Sequence, residues 1–366
     1  MITFPLAKPD INSDDINAVT QVLKSQYLSR GPVVDEFEKE FCKITQSKFA
    51  SAVSSGTAGL IMALNALDVK QGDEVITVSF TVPATVNSIV AVGAKPILVD
   101  IDEETLGMCP KALSAAITNK TKAIIIVHAF GKSAKIHKLL DIAKKYRIKV
   151  IEDACEAIGN CYDDKPLGTY ADIGVFAFYP NKQITSGEGG MLVTNNESLY
   201  RSFELLKNHG RSMNGDLYDQ MSFGWNFRLS DINAALGLSQ LRRLKVIMEK
   251  RQKIACIYDQ KFDGMKAIKG PKFSSSEKNS AWFVYVVRLF NKNRNDVMKQ
   301  LEAKGIQCGR YFAPVHLQPY YLNKLKDLSL VKTEKLAEQC LALPFYTQLK
   351  TDDVGFICDN LLKSTT

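Results

Sequence analysis

Between residues 75 and 194 the chain repeats one pattern, a short apolar run followed by a longer stretch of mixed polarity. The runs are VITV at 75–78, PILV at 96–99, AIIIV at 123–127, KVIE at 149–152, VFAF at 175–178 and MLVT at 191–194. They are too short for helices and rich in β-branched residues, as strands buried on both faces are. The stretch IHKLLDIAKKY at 136–146 has a helical apolar period instead. Strands that alternate with helices form a mostly parallel sheet covered on both faces, so the fold class is α/β. Ligands of such sheets bind beyond the carboxyl ends of the strands, and the polar residues that follow each run are the first candidates for a site.

The flanking sequence extends this frame. Ile16, Val19 and Leu23, then Val34, Phe37, Phe41 and Ile44, follow helical spacing, with Ser13 or Asp14 as the cap of the first helix. FASAV at 49–53 reads as a further strand. From Asp231 the sequence DINAALGLSQLRRLKVIMEKRQKIACIYDQKF reads as one long helix, after which the character changes and WFVYVVRL at 282–289 reads as a strand. This places a large domain with an N-terminal arm over residues 1–250 and a smaller α+β domain over 251–366. GPKFSSSEKNS at 270–280 reads as a surface loop of the second domain.

Charge and cysteine usage narrow the function classes. The net charge is +8, but no run of five or six Lys/Arg focuses it, which argues against nucleic acid as a partner. Eight cysteines are scattered singly, without CxxC pairs or metal-ligand spacing, the pattern of reduced thiols in a cytoplasmic protein without a metal site. No segment has the 18 or so apolar residues that cross a bilayer, and the N-terminus lacks the layout of an export signal. Neither a membrane nor an export route is expected.

Four features fall at predicted strand ends. SSGTAGL at 54–60 joins FASAV to a helix, where free N–H groups at the helix start face an anion or are simply capped. Asp153 ends KVIED, and a carboxylate there needs a partner, whether a salt bridge, a helix it caps or the protonated ring nitrogen of a pyridine cofactor. Lys182 follows VFAF and a Tyr-Pro-Asn turn. Most lysines are solvated surface charges, but an amine held at this edge between apolar sequence and a glycine-rich loop suits attack on an aldehyde. TSGEGG at 185–190 is a tight turn or a close approach of backbone to ligand.

SSGTAGL, GDEVITVSFT, IVHAFG, VIEDACEAIG, VFAFYPNKQITSGEGGMLVT, NHGR and GWNFRLSDINAALGLSQL together resemble, in order and spacing, the sugar aminotransferases of the DegT/DnrJ/EryC1/StrS family. The likeness begins with FPLAKPDINSDD and continues through PVHLQPYY at 314–321 and LALPFYT at 341–347. It implies an aspartate-aminotransferase-like fold (type I), pyridoxal 5′-phosphate as cofactor and a homodimer with shared active sites. By the same resemblance Lys182 is the Schiff-base lysine, Asp153 the carboxylate on the pyridine nitrogen and Glu156 the residue beside the ring and its 3-hydroxyl. Gly56 and Thr57 match the phosphate cradle, and Asn226 an asparagine that reaches the phosphate of the partner subunit. Arg228 lies in the same motif without an assigned role.

The implied reaction moves an amino group, from glutamate, to the keto carbon of a nucleotide-linked keto-deoxy sugar in surface-polysaccharide or glycan biosynthesis. The TSGEGG form resembles the branch acting at C4, whereas relatives acting at C3 more often carry GDGG. The sugar dehydratases of the family carry His at the position of Lys182, which sets that alternative apart. A cofactor-binding regulatory protein without turnover is the alternative from a different class.

Three positions depart from the commoner pattern. Ala177 stands where many relatives have a serine that donates to the phosphate, a loss of about 1.5–3 kcal/mol for a hydrogen bond to a charged acceptor. Val82 stands where many stack an aromatic on the ring, a place that Phe80 fills only with a different backbone path. Gly131, Lys132 and Ser133 replace a frequent Gly-Gln-Pro, so that Lys132 either reads the substrate or carries a surface charge.

Overall fold

A computed structural model describes residues 2–211, 219–277, 282–290 and 292–365. Every short run becomes a strand: β1 (Phe49–Val53), β2 (Glu74–Val78), β3 (Lys95–Val99), β4 (Thr121–Val127), β5 (Lys149–Asp153), then a small hairpin of β6 (Cys161–Tyr162) and β7 (Lys165–Pro166), then β8 (Ile173–Ala177) and β9 (Gly190–Thr194). The main sheet has seven strands in the order β1-β9-β8-β5-β4-β2-β3. Neighbours from β3 to β8 pair in parallel, while β9 runs antiparallel to both β8 and β1. Two reversals restore direction, so β1 runs with the parallel set and ends at the same edge of the sheet.

Helices α1 (Ser13–Leu23), α2 (Pro32–Thr45), α3 (Gly56–Ala66), α4 (Pro83–Ala91), α5 (Pro110–Ala116), α6 (Ile136–Tyr146), α7 (Glu197–Leu206), α8 (Asp231–Arg242) and α9 (Leu244–Phe262) precede and interleave these strands or follow them. The cap of α1 differs from expectation. Asn12, not Ser13 or Asp14, accepts the Asp15 N–H, and the Asp15 carboxylate answers on the Asn12 N–H, a reciprocal capping box. The helix expected from Asp231 onward is also two helices, broken at Arg243 (φ −110°, ψ 17°). No glycine or proline marks that break. Arg243 there donates to the carboxylates of Asp10 (2.9 Å) and Asp15 (2.7 Å), tying the N-terminal arm across the α8–α9 turn.

A second long-range tie starts α2. Its N-cap, Gly31, has no side chain to offer, and the buried Asp231 carboxylate accepts the N–H groups of Gly31 (2.6 Å), Val33 (3.1 Å) and Val34 (3.3 Å) instead. Four first-turn donors lack intrahelical acceptors, and here a residue 200 positions away satisfies three N–H groups at that end.

Beyond α9 a three-stranded antiparallel sheet, β10 (Ile268–Lys269), β11 (Tyr285–Leu289) and β12 (Cys340–Leu343), is accompanied by α10 (Arg294–Ala303), α12 (Val331–Gln339) and α13 (Thr351–Thr365), while the short α11 (Pro319–Leu322) packs Tyr321 against Val86 of α4 and Leu98 of β3. Tyr258 of α9 stacks on Tyr285 of β11 at 4.5 Å between ring centroids. The two sheets share core: Phe283, Val284 and Phe312 pack in one cluster with Ile76, Phe80 and Ile124. The expected loop at 270–280 is not merely a surface feature. Glu277 is buried and accepts the Ser133 N–H at 2.7 Å, while 278–280 lie outside the described residues. Among the described residues no helix is long and apolar enough to cross a membrane, and no group of three or more His, Cys, Asp or Glu side chains could hold a metal ion.

Candidate active site

The turns after β1, β2, β4, β5 and β8 converge at one sheet edge, and Lys182 stands among them. Its turn is closed by the Lys182 N–H donating to the Tyr179 carbonyl (2.9 Å). Its amine lies 3.3 Å from Glu156 Oε1 and 4.2 Å from the centroid of the Phe283 ring. Both the lysine and the glutamate are about nine-tenths buried, at 10% and 9% side-chain exposure. Burial pushes the Glu156 carboxyl above its ordinary range, while the Lys182 charge and the Phe130 N–H (2.8 Å to Oε2) act against that rise.

Asp153 is the last residue of β5 and is 4% exposed. Its Oδ2 accepts the Thr85 hydroxyl at 2.8 Å, Thr85 lies 3.0 Å from the Thr81 hydroxyl, and Oδ1 accepts the Cys155 N–H at 3.3 Å. Among the described residues no Lys, Arg or His pairs with it. A buried carboxylate without a cation costs several kcal/mol, so the site has room for one positive charge that the chain itself does not bring.

Across from it α3 begins. Ser55 caps the helix by accepting the Ala58 N–H (3.1 Å), which leaves the N–H groups of Gly56 and Thr57 in the first turn for a ligand. A side chain at Gly56 has no room: its Cβ would lie 2.8 Å from Ala177 Cβ and 2.9 Å from Cys155 Sγ. Asn226 is exposed, and its segment runs beside this entry, with the Phe227 carbonyl accepting the Ser54 N–H (2.8 Å) and Arg228 bridged to Val53. Arg228 donates to Asn208 Oδ1 at 2.9 Å. An unmatched buried carboxylate, a helix start with free donors and a buried lysine fit the donor set that pyridoxal phosphate needs: Asp153 could hold its ring nitrogen, Gly56 and Thr57 its phosphate and Lys182 its aldehyde carbon.

The profile of the DegT/DnrJ/EryC1/StrS aminotransferase family matches residues 9–362. The chain belongs to this family. Spr1654 of Streptococcus pneumoniae, described as a sugar aminotransferase and solved in a PMP-form, is 29% identical over 99% of this chain and 97% of its own, with a TM-score of 0.94. Helicobacter pylori PseC, an aminotransferase involved in the biosynthesis of pseudoaminic acid, is 28% identical over 99% of both chains, with a TM-score of 0.93. Bacillus subtilis NtdA, solved with bound cofactor PMP, is 31% identical over 97% of this chain and 83% of its own, with a TM-score of 0.90. The fold is accordingly the aspartate-aminotransferase-like fold of type I pyridoxal-phosphate enzymes.

Within this DegT-family frame the three departures resolve differently. Ala177, at the end of β8, faces Gly56, so a serine hydroxyl there would sit beside the cradle. Val82 is half-exposed and lines a cavity of about 240 Å³ together with Glu156, Lys182, Phe283 and Arg310. Phe80 does not take its place, because it is fully buried, edge-on to Phe130 (5.7 Å) and Phe312 (5.5 Å). Lys132 is not a surface charge: it is 7% exposed and donates to the Glu104 carbonyl at 2.9 Å, its ammonium pushed below the ordinary range by burial.

Sequence reading missed Thr85, Phe283 and Arg251. Thr85 carries a signal, since it lies just past β2 at the productive edge. Phe283 and Arg251 reach the lysine from about 100 and 70 residues away, and nothing local marks them.

Proposed function

We propose that the protein transfers an amino group from glutamate to the C4 keto carbon of a nucleotide-linked keto-deoxy sugar, with pyridoxal 5′-phosphate held at Lys182. The observation that carries this reading is the buried Lys182 amine on Glu156, with the unpaired Asp153 carboxylate at the end of the adjoining strand. When bound, the cofactor supplies the electron sink for bond changes at the amine-bearing carbon. The chain supplies the rest. Asp153 keeps the ring nitrogen positive, and the first turn of α3 anchors the phosphate. Lys182 Nζ removes the proton from the donor α-carbon in one half of the cycle and delivers a proton to the acceptor carbon in the other. Arg310 lines the same cavity with no carboxylate within 4.0 Å among the described residues, a cation suited to the acceptor's pyrophosphate.

The C4 assignment rests on the TSGEGG form, and sugar dehydration is disfavoured by a lysine at position 182. A cytoplasmic homodimer, with Asn226 reaching the phosphate of the partner subunit, and a division into domains at 250/251 belong to the same reading. The test is optical. Purified protein is expected to show a visible cofactor band that glutamate bleaches and a keto-sugar nucleotide restores. Lys182→Ala is expected to lose the borohydride-reducible linkage, and its retention would remove Lys182 from the assignment.

A further inference from the structure

Arg251 is the most deeply buried cation of α9, 4% exposed, and no carboxylate lies within 4.0 Å of it among the described residues. Burying a guanidinium costs several kcal/mol, and an apolar residue of similar size fills such a space at less cost. What Arg251 does with its donors is therefore informative. One terminal nitrogen donates to the Lys182 carbonyl at 3.3 Å, and the other to the carbonyls of Trp282 (3.3 Å) and Phe283 (3.2 Å). Phe283 is the ring beneath the Lys182 amine. A single side chain thus fixes the backbone of the lysine and of the aromatic on which its amine rests. Only the planar fork of arginine reaches three such acceptors at once.

We infer that Arg251 is a positioning residue for the reaction, setting the place of the Lys182 amine through the main chain of residue 182 and the ring of Phe283. The inference rests on Lys182 being the reacting amine. A lysine at 251 reaches fewer of the three carbonyls, and a methionine reaches none.

The experiment compares Arg251→Met and Arg251→Lys holoenzymes with the unaltered one. Expected in Arg251→Met is a rate of bleaching at saturating glutamate that is about tenfold lower or more, while the apparent dissociation constant for glutamate changes less than about threefold. The pH midpoint of the visible band shifts in the same variant, and Arg251→Lys lies between the two in both readouts. Amide exchange is expected to quicken at residues 182–184 and 283–285 in Arg251→Met and to stay slow in the strands of the main sheet. An unchanged band midpoint and bleaching rate in both variants would overturn the inference, as would a loss of rate matched by equal weakening of glutamate binding. If Arg251→Met does not fold, the Arg251→Lys midpoint decides alone. Exchange needs no reacting amine, so a local change there with a band that survives Lys182→Ala would strike the assignment of Lys182 and not the tie made by Arg251.

Discussion

At the scale of single residues the site holds one buried charge pair, Lys182 with Glu156, and an unmatched carboxylate, Asp153, so that small changes have readable effects. Ala177→Ser places a hydroxyl beside Gly56, where a phosphate oxygen is expected, and a hydrogen bond to a charged acceptor is worth about 1.5–3 kcal/mol. The variant is expected to retain cofactor about tenfold more tightly or better on dialysis. Equal loss from both proteins would refute the cradle at Gly56. Thr85→Val keeps the shape and deletes the hydroxyl donated to Asp153. Single-turnover bleaching by glutamate should slow by about tenfold, and an unchanged rate would leave Thr85 a packing residue. Lys182 and Asp153 stand out in the sequence because each lies on or within a few residues of a buried strand, whereas Glu156 is singled out only through the family resemblance. Phe283 and Arg251 are not legible there, since they meet the lysine from distant segments that local pattern does not bring together, and Thr85 is marked only by its place after β2.

At the scale of elements, strands were legible because short β-branched runs between polar stretches have few other solutions. Helix ends were less so, for α1 is capped by Asn12 and α2 from α8, and the break between α8 and α9 accompanies an ion cluster, not a helix-breaking residue. That cluster has a pH signature. Burial raises the Asp10 carboxyl, but Thr347, Arg243 (2.9 Å) and Lys250 (3.0 Å) together more than offset this and hold it at about 2 against an ordinary 3.8. A depressed carboxyl contributes stability above its unfolded value and loses it as pH falls through the folded one. The stability gap between the unaltered protein and Asp10→Asn, followed by urea unfolding, should therefore be full near pH 5 and close between about pH 3.8 and pH 2. A gap that stays constant over that range would show that Asp10 contributes nothing through its charge.

At the scale of the whole molecule, some large apolar side chains near the Asn226 segment are exposed. Met221 and Phe223 are 70% and 62% exposed, and Leu28, beside the start of α8, is 48% exposed. Met221 and Phe223 lie on the same segment as Asn226, the residue proposed to serve the partner's site. Sedimentation is expected to give twice the 40.7 kDa of the chain, and Met221→Asp with Phe223→Asp to give the single mass together with loss of cofactor. A monomer from the unaltered chain would remove the shared site.

The order in which the main sheet is assembled has a consequence for synthesis. In the main sheet β1 pairs with β9, α1 packs on α8, and α2 waits for Asp231 to cover its first turn. The first 53 residues emerge from the ribosome well before these arrive, about 7–27 s before β9 begins and about 9–36 s before Asp231, at about 5–20 residues per second. During that interval Phe37 and Phe41 of α2 have only the FASAV run of β1 to pack on, and the rest of their cluster, Phe176, Phe178, Met191 and Leu238, is still to come, so the opening of the chain spends the longest time with an incomplete core.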